Sequence, residues 1–230
     1  MANIGKKHRQ AQEKVAFKDP VDLKSALKAV VDTAHAKFDE SVDIDVVLGI
    51  DAAKGEQNVR GAVVLPNGLG KKVRVIAFVK GEQEEEAIRA GADATGGDDL
   101  VEKILGGWLE FDAAIATPDM MGIVGKVARV LGPRGLLPNK KVGTVTFDVK
   151  EVIAELKKGR VSYKNDKTGV LHAPVGRVSF GVDKLAENLT ALMRAVVASK
   201  PATSRGQYIR KVVVSSTMGV GVLVAVDGIV

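Results

Sequence analysis

Aliphatic residues recur at every second position from Val42 through Ile44, Val46 and Leu48 to Ile50, with Asp43 and Asp45 between them and Asp51 following. A period of two predicts a half-buried strand with an acidic outer face. Ahead of it, Leu23, Leu27, Val30, Val31 and Ala34 recur at helical spacing, and Asp19-Pro20 reads as a cap with proline at the first helical position. The segment Arg60–Leu65 reads as the partner of the alternating strand, ended by Pro66-Asn67-Gly68.

The pattern then changes. Val73–Val79 and Ala113–Thr117 are short, nearly continuous apolar runs, as expected of parallel strands covered on both faces. Helices are predicted over Glu82–Ala90, Leu100–Leu105, Met120–Leu131 and Val149–Lys158, and such alternation reads as an open α/β sheet. After Gly159 the opening pattern returns. Arg160–Lys164 and Gly169–Val175 form a strand pair around Asn165-Asp166-Lys167-Thr168. Asp183 caps a helix carrying Leu185, Leu189, Leu192 and Val196, and strands Tyr208–Ser216 and Val220–Val226 follow.

Neither end has enough strands for an independent sheet. The fold class expected is therefore α/β with two domains. Residues 1–70 and 159–230 make one discontinuous α+β domain, and residues 71–158 are an inserted open-sheet, Rossmann-like α/β domain. The two crossings, near 66–72 and 157–160, are expected to act as a hinge.

Charge sharpens this division. Residues 1–70 hold 10 Lys/Arg and 10 Asp/Glu, residues 71–158 hold 14 of each, and residues 159–230 hold 10 and 4. The net charge of +6 thus arises in the last third. A local basic excess beside Ser215, Ser216, Thr217, Met218 and Gly219 suits a polyanion site, although a solvated charged face gives the same count. The chain has no cysteine, which excludes disulfides, thiolate metal sites and thiol nucleophiles. The basic N-terminus lacks an apolar segment after it, and no long apolar run occurs, so a cytoplasmic protein without a membrane span is expected. With two Tyr, one Trp and six Phe, stacking platforms are scarce, and any nucleic acid bound is expected to be structured.

Catalytic chemistry finds little support. His8, His35 and His172 show no metal-ligand spacing, no phosphate-binding glycine loop is complete, and the acidic run at Glu82–Glu86 suits a helix start. No enzyme, cofactor or metal is expected; the competing class is a two-domain enzyme with its ligand in the interdomain cleft. Two further segments carry candidates. LGPRGLLPNKKV (131–142) is an irregular basic loop with Arg134, Lys140 and Lys141, either a secondary phosphate contact or an ordinary rigid loop. In Lys37-Phe38-Asp39-Glu40-Ser41, Phe38 either covers a core edge or presents a ring to a base, with Lys37 on phosphate and Ser41 on a 2′-hydroxyl.

SVDIDVVLGID (41–51), QNVRGAVVLPNGLGKKVRV (57–75), ATPDMMGIVGKVARVLGPRGLLPNKKVGTV (116–145), YKNDKTGVLHAPVG (163–176) and SSTMG (215–219) occur in this order. Together they resemble the family of large-subunit ribosomal protein number one, bacterial type, from residue 37 to 219. The resemblance implies a structural ribosomal protein at the mobile stalk near the tRNA exit site, assisting release of deacylated tRNA and monomeric when free. It implies large-subunit ribosomal RNA, exit-site tRNA and the messenger of its own operon as partners, the last through translational repression. The RNA contacts it implies are Lys37, Phe38, Glu40 and Ser41 with Ser215, Thr217, Met218 and Gly219, joined by Asn165, Lys167 and His172. Arg205 and Arg210 are expected to add phosphate attraction, with Arg134, Lys140 and Lys141 as the secondary RNA or tRNA contact. Glu40 is expected to accept from RNA hydroxyls or amines, and Gly219 to let backbone approach RNA.

Overall fold

The alternation that begins at Val42 survives in three dimensions: Val42, Ile44, Val46 and Leu48 are buried, and the residues between them are partly open. A computed structural model describes residues 5–15 and 19–226 of the chain. The opening segment contains α1 (Lys6–Lys14), α2 (Leu23–Thr33), β1 (Ser41–Leu48) and β2 (Arg60–Val64). The middle contains β3 (Val75–Phe78), α3 (Glu82–Arg89), β4 (Ala94–Gly96), α4 (Asp98–Leu105), β5 (Ala113–Ala116), α5 (Met121–Val124), α6 (Ala128–Leu131) and α7 (Val149–Lys158). The closing segment contains β6 (Arg160–Asn165), β7 (Val170–Arg177), α8 (Val182–Ala198), β8 (Ile209–Ser216) and β9 (Val222–Val224).

Two units result, one of residues 1–70 with 161–230 and one of residues 71–160. The second crossing falls two residues later than the expected start at 159. Arg160 stays with the insert because its guanidinium pairs with Glu155 at 2.6 Å and donates to the Val142 carbonyl at 2.6 Å.

In the discontinuous unit the sheet order is β2-β6-β7-β1-β8-β9. β1 is central and antiparallel to both β7 and β8. The expected pairing of β1 with β2 is corrected: β2 lies at the edge against β6. Helices α2 and α8 pack against the inward residues, where Leu27, Val30, Ile44, Leu171, Leu189, Leu192 and Val212 share one core. Asn188, wholly buried on α8, donates to the carbonyls of Gly68 and Val175 and accepts from Asn67 N–H, tying the turn after β2 to the helix.

The insert has a parallel sheet, β4-β3-β5, and Val75–Val79 is wholly buried as a two-sided strand requires. Separate apolar clusters lie on its two faces, one with α4–α6 and one with α7.

Several sequence expectations shift. Asp22, not Asp19, caps α2 by accepting from Ser25 N–H at 3.2 Å, and Val21 instead bridges to Val224. Asp183 lies inside the first turn of α8, whose cap position is Gly181. The helix expected over 120–131 breaks into short turns, with α5 and α6 separated by a 3₁₀ turn at Gly125–Val127. β4 and α1 carry no usable periodicity: β4 is three residues long, and α1 buries a single residue, Ala11.

Candidate nucleic-acid interface

Two connections meet at one end of the antiparallel sheet. One runs from α2 to β1 and carries Lys37, Phe38, Glu40 and Ser41; the other runs from β8 to β9 and carries Thr217, Met218 and Gly219. They are joined through Glu40, which is 1% exposed. Its Oε1 accepts from the backbone N–H of His35 at 2.9 Å and of Ala36 at 2.7 Å. Its Oε2 accepts from the Ser216 hydroxyl at 2.6 Å and from Met218 N–H at 3.2 Å. A carboxylate offers about four acceptor sites, and all four are filled by protein donors. Burial pushes the Glu40 carboxyl up. The bonds from Ser216, Ala36, Met218 and His35 outweigh burial and hold it below its ordinary 4.5.

The expectation that Glu40 accepts from RNA is corrected. The structure leaves it no free lone pair and no exposed edge, so its work is to hold the two connections together. Around it, Ser41 and Thr217 form a second bridge. Thr217 N–H donates to the Ser41 carbonyl at 3.1 Å, Ser41 N–H donates to the Thr217 hydroxyl at 3.0 Å, and the two hydroxyls lie 2.9 Å apart. Asp39 braces the first connection by accepting from the Ser179 hydroxyl at 2.8 Å and from Ser179 N–H at 3.2 Å.

This scaffold presents an apolar pair to solvent, with Phe38 57% and Met218 53% exposed beside the open Lys37 and Thr217. Large exposed apolar side chains on a braced tip are suited to stacking on a base or packing on a ribose. Gly219 has a reason beyond any approach to RNA. A Cβ there would stand 2.3 Å from the Ser216 hydroxyl oxygen, the group that donates to Glu40.

Ser215, expected at the site, points to the other face of the sheet opposite Asp43, while Ser216, which was not among the expected contacts, faces inward. The phase of β8 holds the missed signal, since Val212 and Val214 are buried and place Ser216, not Ser215, on the same side.

The remaining candidates lie elsewhere. β1 spans eight residues, so its Leu48 end is about 23 Å from its Ser41 end at roughly 3.3 Å per step. At that far end sit Lys167, in the β6–β7 turn, and Arg205 and Arg210, which line an open cleft with Lys54, Gln57 and the acids Asp51 and Glu56. All three cations are exposed and without ion-pair partners among the described residues. Asn165 is buried and fully used: it accepts from Val59 N–H at 2.7 Å and donates to Asn58 and to the Asp166 carbonyl. His172 lies midway on the outer face, its Nδ1 2.6 Å from Asp45 Oδ1 and its Nε2 3.9 Å from Asp166 Oδ2. The expected single cluster is therefore divided. Lys37, Phe38, Glu40, Ser41, Thr217, Met218 and Gly219 come together; Asn165, Lys167, His172, Arg205, Arg210 and Ser215 do not join them.

In the insert, Arg134, Lys140 and Lys141 are exposed on a loop with internal supports. Asn139 accepts from Lys141 N–H at 2.8 Å and donates through its own N–H to the Thr144 hydroxyl at 2.8 Å. Gly143, at φ 72°, supplies the left-handed turn that ends it.

Residues 27–220 match the Ribosomal protein L1p/L10e family. The chain is also similar to the large ribosomal subunit protein uL1 of Maridesulfovibrio salexigens, with 55% identity over 221 residues covering 96% of this chain and 94% of that protein. A match of that length spans both segments of the tip, the whole insert and its basic loop. The chain belongs to the Ribosomal protein L1p/L10e family.

Proposed function

We propose that this chain is a structural, non-enzymatic protein of the large ribosomal subunit that binds large-subunit ribosomal RNA through the tip formed by residues 37–41 and 217–219. The single observation carrying the reading is the filled Glu40 carboxylate, which fixes two distant connections and leaves Phe38, Lys37, Thr217 and Met218 facing solvent. A rigid tip of this kind loses little freedom on binding and favours RNA whose shape fits it. The finer reading follows the family resemblance. The protein stands at the mobile stalk near the tRNA exit site, and the loop with Arg134, Lys140 and Lys141 meets the departing tRNA. The same tip takes a similar fold in its own operon messenger and represses translation, and the free protein is a monomer. Chemical footprinting on deproteinised large-subunit RNA tests the core of this reading. One compact protected region, resistant to excess random RNA, is expected; protection spread evenly, or erased by random RNA, overturns it.

A further inference from the structure

Helix α1 reads KKHRQAQEK, with Lys6, Lys7, Arg9 and Lys14 exposed and Glu13 its one acid. None of these four cations has an ion-pair partner among the described residues. Lys14 suits the last turn, but the placement of Lys6 and Lys7 is unfavourable for the helix itself. Lys6 and Lys7 occupy the first turn, where the helix dipole disfavours positive charge, and the cap residue Gly5 supplies no side-chain acceptor. Helix stability therefore does not account for Lys6 and Lys7.

The location of α1 narrows the partner. Ala11 is buried and Val15 packs on the main core, so the helix is docked. Lys7, Ala11 and Lys14 share a cleft with Asp32, Thr33, Ala34 and His35 at the end of α2, where Asp32 is the one carboxylate and forms no ion pair with either lysine. His35 and the next residue, Ala36, are the backbone donors to Glu40, and Lys37 and Phe38 follow them directly. The basic helix thus stands beside the RNA tip and at the opposite end of β1 from Arg205 and Arg210. It also lies outside the matched family segment, residues 27–220.

We infer that α1 is a second, sequence-independent contact surface that holds the phosphate backbone of the RNA whose bases and riboses meet the tip. The inference rests on the proposed RNA-binding function and assigns the attraction near the tip to Lys6, Lys7 and Arg9. Phosphate contacts release counterions, so each one removed lowers the salt slope of log affinity by about 0.7–0.9.

The test is the full chain with Lys6→Gln, Lys7→Gln and Arg9→Gln together, since glutamine sustains helix and keeps α1 formed. Affinity is measured against salt for large-subunit RNA and for a random RNA of equal length. The expected result is a slope shallower by about 2–3 on both RNAs, with the ratio between the two affinities kept within about twofold. An unchanged slope overturns the inference. So does loss of binding to phosphatidylserine vesicles with the RNA slopes intact, which would assign the helix to a membrane surface. If the unaltered chain shows no preference for large-subunit RNA while the triple variant still flattens the slope, the functional reading fails and the phosphate role of α1 stands.

Discussion

The two ends of the six-stranded sheet hold polar groups in opposite ways. At the Ser41 end a buried carboxylate, two hydroxyls and several backbone amides satisfy one another, and the exposed residues are few and fixed. At the Leu48 end Lys167, Arg205 and Arg210 reach into solvent on long side chains without protein partners among the described residues. A braced tip discriminates, because a ligand that fits poorly cannot recruit a compensating movement. Unbraced cations attract any polyanion and are weakened by salt. Both ends belong to one sheet, so net charge alone does not locate the specific site.

Removing the carboxylate should produce the largest effect. Glu40→Gln keeps the shape but turns an amide N–H₂ toward existing donors. Cognate RNA binding should fall by roughly 10- to 100-fold, equal to about 1.4–2.7 kcal/mol, in the range for a buried donor left unpaired. A titration against large-subunit RNA checks it, and retention of full affinity would mean that the tip holds without its central acceptor. The same variant isolates a pH effect. The folded carboxyl lies below its ordinary 4.5, so its stabilisation is complete above that value and is lost as pH falls through the lower folded value. Thermal unfolding of the wild type should therefore fall more steeply than that of Glu40→Gln below about pH 4.5.

Gly219→Ala comes next. Its methyl group must displace the Ser216 hydroxyl, and a cost of about 1–2 kcal/mol is expected in stability or cognate affinity, measured by melting and by titration. If instead Gly219 serves only to admit RNA, the melting temperature will not move.

How far the sequence anticipates these roles depends on the range of the interaction. The alternation of β1 and the long stripe of α8 are legible because local period follows burial. The edge position of β2 is not, since pairing is decided by chain segments a hundred residues away. The composition of the tip is legible through Phe38, Thr217, Met218 and Gly219. Its assembly is not. Nothing in the sequence near Glu40 announces that its partners are Ser216 and Met218, so an acid beside a polyanion site reads as a direct contact. Arg205 and Arg210 group with the tip in sequence because they are near it along the chain, yet β8 carries the chain about 20 Å from Arg210 to Ser216 at roughly 3.3 Å per residue.

Thr217→Val should cost about 1 kcal/mol on cognate RNA and leave random RNA almost unaffected, because it removes the hydroxyl shared with Ser41 that the proposed reading turns toward ribose. Equal weakening on both RNAs would reduce the tip to a neighbour of the RNA. Arg205→Ala or Arg210→Ala should have the smallest effect. Each should weaken binding to every RNA modestly and lower the salt slope by about 0.7–0.9 for each phosphate no longer neutralised. A selective drop in cognate affinity from either change would erase the contrast between the two ends.

Glu40 and Ser216 are separated by 176 positions, and that distance gives the tip a place in time as well as in space. A ribosome making this chain finishes Glu40 first, then the whole insert, and reaches Met218 and Gly219 only after it. Until those residues emerge the carboxylate lacks half of its donors and Phe38 stands beside an unmade neighbour. The proposed RNA-binding surface is thus withheld from every chain not yet extended past Gly219.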